Sequence, residues 1–168
     1  MSRPDDKRLL GPGFPGDTGA ADPAVAEALT EYAAGRAPYV AVLAALCSAR
    51  VLVPVVAVLS EVEYDDAGLA RDKSADMATV LLTGADGRQG LLAFTSLDAL
   101  QTWQSDARPV PVKVRDAAEA ALHDGATALL VDLAGPVPFV VEEADLRALA
   151  AGYTLAQVGG STAWVAPA

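Results

Sequence analysis

The sequence predicts an α+β fold, a mixed sheet of five to six strands with helices packed on it and two β-hairpins. Apolar runs of strand length recur at 51–59, 77–83, 89–94, 127–133 and 137–141. Gly-bearing gaps join the second and third runs, and the fourth and fifth, into hairpins over 77–94 and 127–141. Capped stretches with helical spacing lie between the runs.

Residues 1–21 are rich in Gly, Pro and Asp and read as a flexible N-terminal tail. They hold a GxGxxG pattern at 11–16. No strand precedes it, and Pro12 and Pro15 remove backbone donors, so a pyrophosphate site is not expected there. Asp22 followed by Pro23 is an N-cap with proline at the first helical position. Val25, Leu29 and Tyr32 then form a stripe that ends at Gly35. A second helix over 38–49 is apolar nearly all round, with Val40, Val42, Leu43, Leu46 and Cys47, and is expected to be buried.

The stretch 37–60 is long enough to suggest a membrane span. Arg50 near its centre costs roughly 2.5–3.5 kcal/mol on insertion scales, and Pro54 breaks a helix. Residue type also changes at Arg50, from Ala/Leu to Val. A buried helix followed by a buried strand fits better. Pro54 cannot donate to a ladder, which predicts an edge strand or a bulge.

Residues 61–68 carry four carboxylates, but lack the spacing and distal Glu of a calcium loop. The central stretch, 76–103, follows. It reads as strand, turn at Asp86-Gly87, strand, cap at Thr95 or Ser96, and a helix whose Leu97, Leu100 and Trp103 cover the hairpin. The run 108–112, Arg-Pro-Val-Pro-Val, is a short extended piece. A helix over 115–124 ends at Gly125. Another starts near Glu142 with three acids in or near its first turn and stops at Gly152. Residues 153–166 read as two short strands around Gly159-Gly160-Ser161. An uncovered edge there could pair with another chain.

One domain is expected from 168 residues. The net charge of −10, from 22 acidic and 12 basic residues, repels phosphate backbones and argues against nucleic-acid binding. The single cysteine, Cys47, excludes an internal disulfide and fits a reducing cytoplasm. Residues 1–17 lack the apolar core of a secretory signal. His123, beside Asp124, is the sole histidine, and no Ser or Cys stands in an activating motif.

In order and spacing, the chain resembles the SseB (enhanced serine sensitivity protein B) family in its N-terminal domain. The resemblance rests on the strand holding Val51-Leu-Val-Pro54-Val, AFTSLDALQTW over 93–103, ARPVPV over 107–112, GATALLVDLAGPVPFVV over 125–141 and LRALA over 146–150. It implies a family-like domain over 22–152 followed by a tail or hairpin at 153–168. It also implies an α/β or α+β domain of undefined biochemical role, with no catalytic residues to carry over. A secretion role does not follow from the name, which an unrelated secretion-apparatus protein shares.

Two functional expectations follow. The first is a non-enzymatic cytoplasmic protein-binding or adaptor domain, with no catalytic, cofactor or metal residues. Asp72, Lys73, Asp76, Thr95 and Ser96 form its candidate interaction surface, with a protein partner, no nucleic acid and no membrane. A homodimer through an edge strand or the C-terminal tail stays open. The second is a small-molecule-binding protein or enzyme with a pocket beside the central hairpin. It requires Asp76, Thr95, Ser96, His123 and Asp132 to converge.

Overall fold

A computed structural model of the chain describes residues 13–58 and 76–168. The described residues form five helices and nine strands: α1 (Pro23–Ala33), α2 (Tyr39–Leu46), β1 (Arg50–Val58), β2 (Asp76–Thr79), β3 (Leu81–Thr83), β4 (Gln89–Ala93), α3 (Leu97–Trp103), β5 (Arg108–Lys113), α4 (Val114–His123), β6 (Ala128–Val131), β7 (Phe139–Val141), α5 (Glu143–Ala150), β8 (Thr154–Val158) and β9 (Ser161–Val165). The acidic run 61–68 and residues 71–74, Asp72 and Lys73 among them, lie outside the described residues, as do Gly11 and Pro12 of the GxGxxG pattern.

The fold is α+β, as the pattern predicts, but the strands divide among three sheets. Their orders are β2-β1-β5, β3-β4-β6-β7 and β8-β9. Only β4 and β6 pair in parallel. A bridge between Leu52 and Phe94 joins the first two sheets, each residue donating its N–H to the other's carbonyl at 2.7 and 2.8 Å.

The run 77–83 is therefore not one strand of a hairpin. Its first half pairs with β1 and its second half with β4, and the change falls at Val80. The cause lies on β1. Alternation from the Leu52–Phe94 pair points the backbone groups of Leu52, Pro54 and Val56 to the β2 side. The β1–β2 register sets Pro54 opposite Val80, and Pro54 has no N–H to give. The Val80 carbonyl instead accepts from Leu92 of β4 at 3.1 Å. Pro54 thus sits on a central strand, contrary to the edge or bulge expected, and its missing donor falls where the ladder changes partner.

Strand alternation sorts the sheet residues into two cores. Val51, Val53, Leu91, Ala93, Leu129, Val131, Phe139 and Val141 face α1, α2, α4 and α5. Leu52, Leu92 and Phe94 face Ala99 and Leu100 of α3, with Trp103 against the Phe94 ring at 5.6 Å. Four helices thus cover one side of the sheet and one seven-residue helix covers part of the other.

Local chemistry sets the helix ends. The Asp22 carboxylate accepts the Ala24 N–H at 2.8 Å with Pro23 in the first turn. The Ser96 hydroxyl accepts the Ala99 N–H at 3.1 Å and starts α3. Residues within 13–21 are held against the sheet by Arg50. Its guanidinium donates to Asp17 at 2.6 Å, to the Ala20 carbonyl at 2.9 Å and to the Thr95 carbonyl at 2.7 Å. The long apolar stretch is α2 followed by β1, and no helix among the described residues is long and apolar enough to cross a membrane.

Candidate functional site

The sequence singled out a polar set, and the structure disperses most of it. Asp76 opens β2, and Ser96 uses its hydroxyl on the α3 cap. His123 is exposed in the last turn of α4 and hydrogen-bonds to none of Thr95, Ser96 and Asp132. Thr95, expected on an exposed face, is buried. Its N–H and hydroxyl donate to the two carboxylate oxygens of Asp132 at 2.8 and 2.7 Å. Asp132 is 1% exposed and holds a left-handed φ of 50°. Burial pushes its carboxyl above the usual range, and the two Thr95 bonds partly offset this. This pair is internal, and none of the recesses described below reaches it.

Cys47 is half-buried at the end of α2, and burial raises its thiol while the Leu155 N–H pulls the other way. Such a thiol is a poor nucleophile. No three His, Cys, Asp or Glu side chains among the described residues stand close enough to share a metal ion.

A recess does lie beside the central hairpin, of about 340 Å³. Thr95, Ser96, His123 and Asp132 do not line it. Its floor is the sheet face that α3 leaves uncovered, Leu82, Gly90, Leu130 and Val140. Gly90 has a specific part here. A Cβ at that position would stand 2.6 Å from Leu130 Cγ, so only glycine lets the Leu130 side chain lie across β4. Val140 is 38% exposed on β7 between two buried neighbours, Phe139 and Val141.

The rim is charged. Arg88 donates to Asp86 at 2.6 Å and to Glu142 at 3.3 Å, bridging the β3–β4 turn to the start of α5. The Arg88 guanidinium holds the Asp86 carboxyl below its usual range. A second recess of about 390 Å³ lies where Phe14 and Gly16 meet Leu52, Leu97, Pro109 and Pro111.

Sequence reasoning missed Leu82, Leu130, Val140 and the Arg88 rim. A signal was present: Gly90 inside an apolar strand marks close approach of a neighbour. The long apolar runs hid the rest, because they do not tell which alternate residues lack a helix above them.

Residues 25–148 match the sequence model of the SseB protein N-terminal domain. No curated protein and no solved structure matches the chain. The match spans well over half of the 168 residues and runs from α1 into α5, so this chain belongs to the SseB family.

Proposed function

We propose that the chain is a non-enzymatic protein-binding module acting in the cytoplasm. The domain over 22–152 carries the binding face, and the 153–168 hairpin is a surface apart from it. The observation that supports this is the partly open apolar floor of Leu82, Leu130 and Val140 on a sheet whose opposite side packs against four helices. Apolar area framed by polar groups is the usual form of a protein contact. The occupant is a short apolar segment of a partner protein that also bears a basic residue. Asp86 and Glu142 share a single guanidinium, so the rim keeps a net negative charge, and the whole chain, at −10, steers basic partners toward it.

The test is affinity capture of the tagged chain from its own cells, comparing wild type with Val140→Glu, followed by binding of the purified partner. Val140 is already partly exposed, so the variant keeps its thermal midpoint within a few degrees. Loss of the partner from V140E alone supports the reading. A partner retained equally by both sinks it.

A further inference from the structure

The C-terminal hairpin carries a second contact surface, and its chemistry indicates what fills it. Gly159 and Gly160 have φ of 57° and 82°, the geometry of a two-residue type I′ turn. The turn makes Val158–Ser161 a hydrogen-bonded pair, and alternation does the same for Ala156–Ala163 and Thr154–Val165. The backbone groups of Leu155 and Gln157 therefore point out from β8, and those of Thr162 and Trp164 point out from β9.

The two edges differ. On the β8 side, α2 approaches, and Cys47 and Leu155 both pack on the main core. On the β9 side, the N–H and carbonyl groups of Thr162 and Trp164 have no backbone partner among the described residues. The hairpin is also held firmly. Leu155 and Trp164 pack on the main core, and the Trp164 indole N–H donates to Asp145 at 2.9 Å.

Natural edges are usually blunted by charge or proline. In this chain β5 is blunted. The Val114 N–H donates to Ala49 at 3.1 Å, and alternation from that bond turns the nitrogens of Pro109 and Pro111 to the free side. Among the described residues nothing comparable protects β9. Arg147 is the last charged side chain, and residues 148–168 carry none. In a chain of net charge −10, an edge strand without charged side chains puts no like charges of its own between two copies.

We propose that β9 pairs antiparallel with β9 of a second copy about a two-fold axis at Ala163. That register sets Thr162 opposite the partner's Trp164 and satisfies all four outward groups on each strand. It faces Ala163 with the partner's Ala163 as a non-hydrogen-bonded pair, the closer of the two pair types. The solvent face of the joined sheet is built from small uncharged residues, and Val165, 41% exposed, now lies opposite Ser161 of the second copy. Two five-residue strands bury less than a standard interface, so the dimer is weak and reversible.

Sedimentation of the full chain over a dilution series tests this. The mass is expected to rise with concentration from one 17.1-kDa chain toward two. Ala163→Glu brings two carboxylates together and holds the mass at one chain. Thr162→Pro deletes an outward donor without touching the hairpin's own ladder, and also stays single. In a Cys47→Ala background, Ala163→Cys crosslinks under oxidised glutathione, since the facing Cα atoms stand about 4.5 Å apart. Near-ultraviolet dichroism shows that each variant remains folded. A wild-type mass constant at one chain overturns the proposal, as does a dimer that persists in folded A163E and T162P. The Val140 surface is separate, so V140E leaves this self-association unchanged.

Discussion

Asp132 accepts both donors of Thr95, a residue 37 positions earlier in the chain, and does so from inside the protein. The pair clamps the end of β4 to the end of β6, where Asp132 also donates its own N–H to the Ala93 carbonyl at 3.0 Å. Asp132→Ala strands the Thr95 N–H and hydroxyl and is expected to cost about 2–4 kcal/mol of stability. Asp132→Asn keeps an acceptor for the N–H and tolerates the left-handed backbone, so it costs far less. Burial raises the folded-state pKa of Asp132 above its unfolded value. Its stabilising contribution is therefore complete below the unfolded pKa and is lost as pH rises through the folded one. Denaturant unfolding of wild type and D132N should show the asparagine variant gaining on wild type as the pH rises above the ordinary carboxylate range.

The Arg50–Asp17 bridge has the opposite pH sign. The Arg50 hydrogen bonds hold the Asp17 carboxyl below its usual value, and the side chains are 11% and 17% exposed. A depressed carboxyl adds stability that is present above the unfolded pKa and lost as pH falls through the folded one. Asp17→Asn should lower stability by about 1–2 kcal/mol at neutral pH. The gap to wild type should close once the pH drops below the ordinary carboxylate range. Chemical denaturation at pH 7 and pH 3 measures both.

Gly90→Ala drives a methyl into Leu130. Overpacking of this kind costs about 1–3 kcal/mol. Leu130→Ala should relieve it, so the double variant is less destabilised than the two single costs added together. A double-mutant cycle on unfolding free energies reads the coupling directly.

Replacing Pro109 and Pro111 by threonine restores two outward N–H groups on β5. The fold should persist, because the bonds to β1 come from Arg108, Val110 and Val112. Aggregation on storage should increase, since a restored edge pairs with other chains. Light scattering over time, compared with wild type at equal concentration, checks this.

Much of the architecture could be read locally. Asp22-Pro23 and Ser96 cap helices within three residues of themselves, and Gly159-Gly160 dictates its own turn. The division of 77–83 at Val80 could not be read this way, because its cause is a proline 26 positions earlier, on a strand known as a neighbour only after folding. The same separation hid the Thr95–Asp132 pair and the anchoring of Asp17 by Arg50. An arginine inside an apolar run signals a buried partner, but not which one. The apolar floor by Gly90 was the least legible part. Strand pattern says which side chains alternate, and not how far a seven-residue helix reaches over them.

The two indoles of this chain stand on opposite sides of the sheet, Trp103 at the end of α3 beside Phe94 and Trp164 against Asp145 on the four-helix side. Each layer therefore carries its own fluorophore. With either tryptophan changed to phenylalanine, emission follows the loosening of one layer alone, and the order in which the halves of the molecule come apart becomes visible in a cuvette.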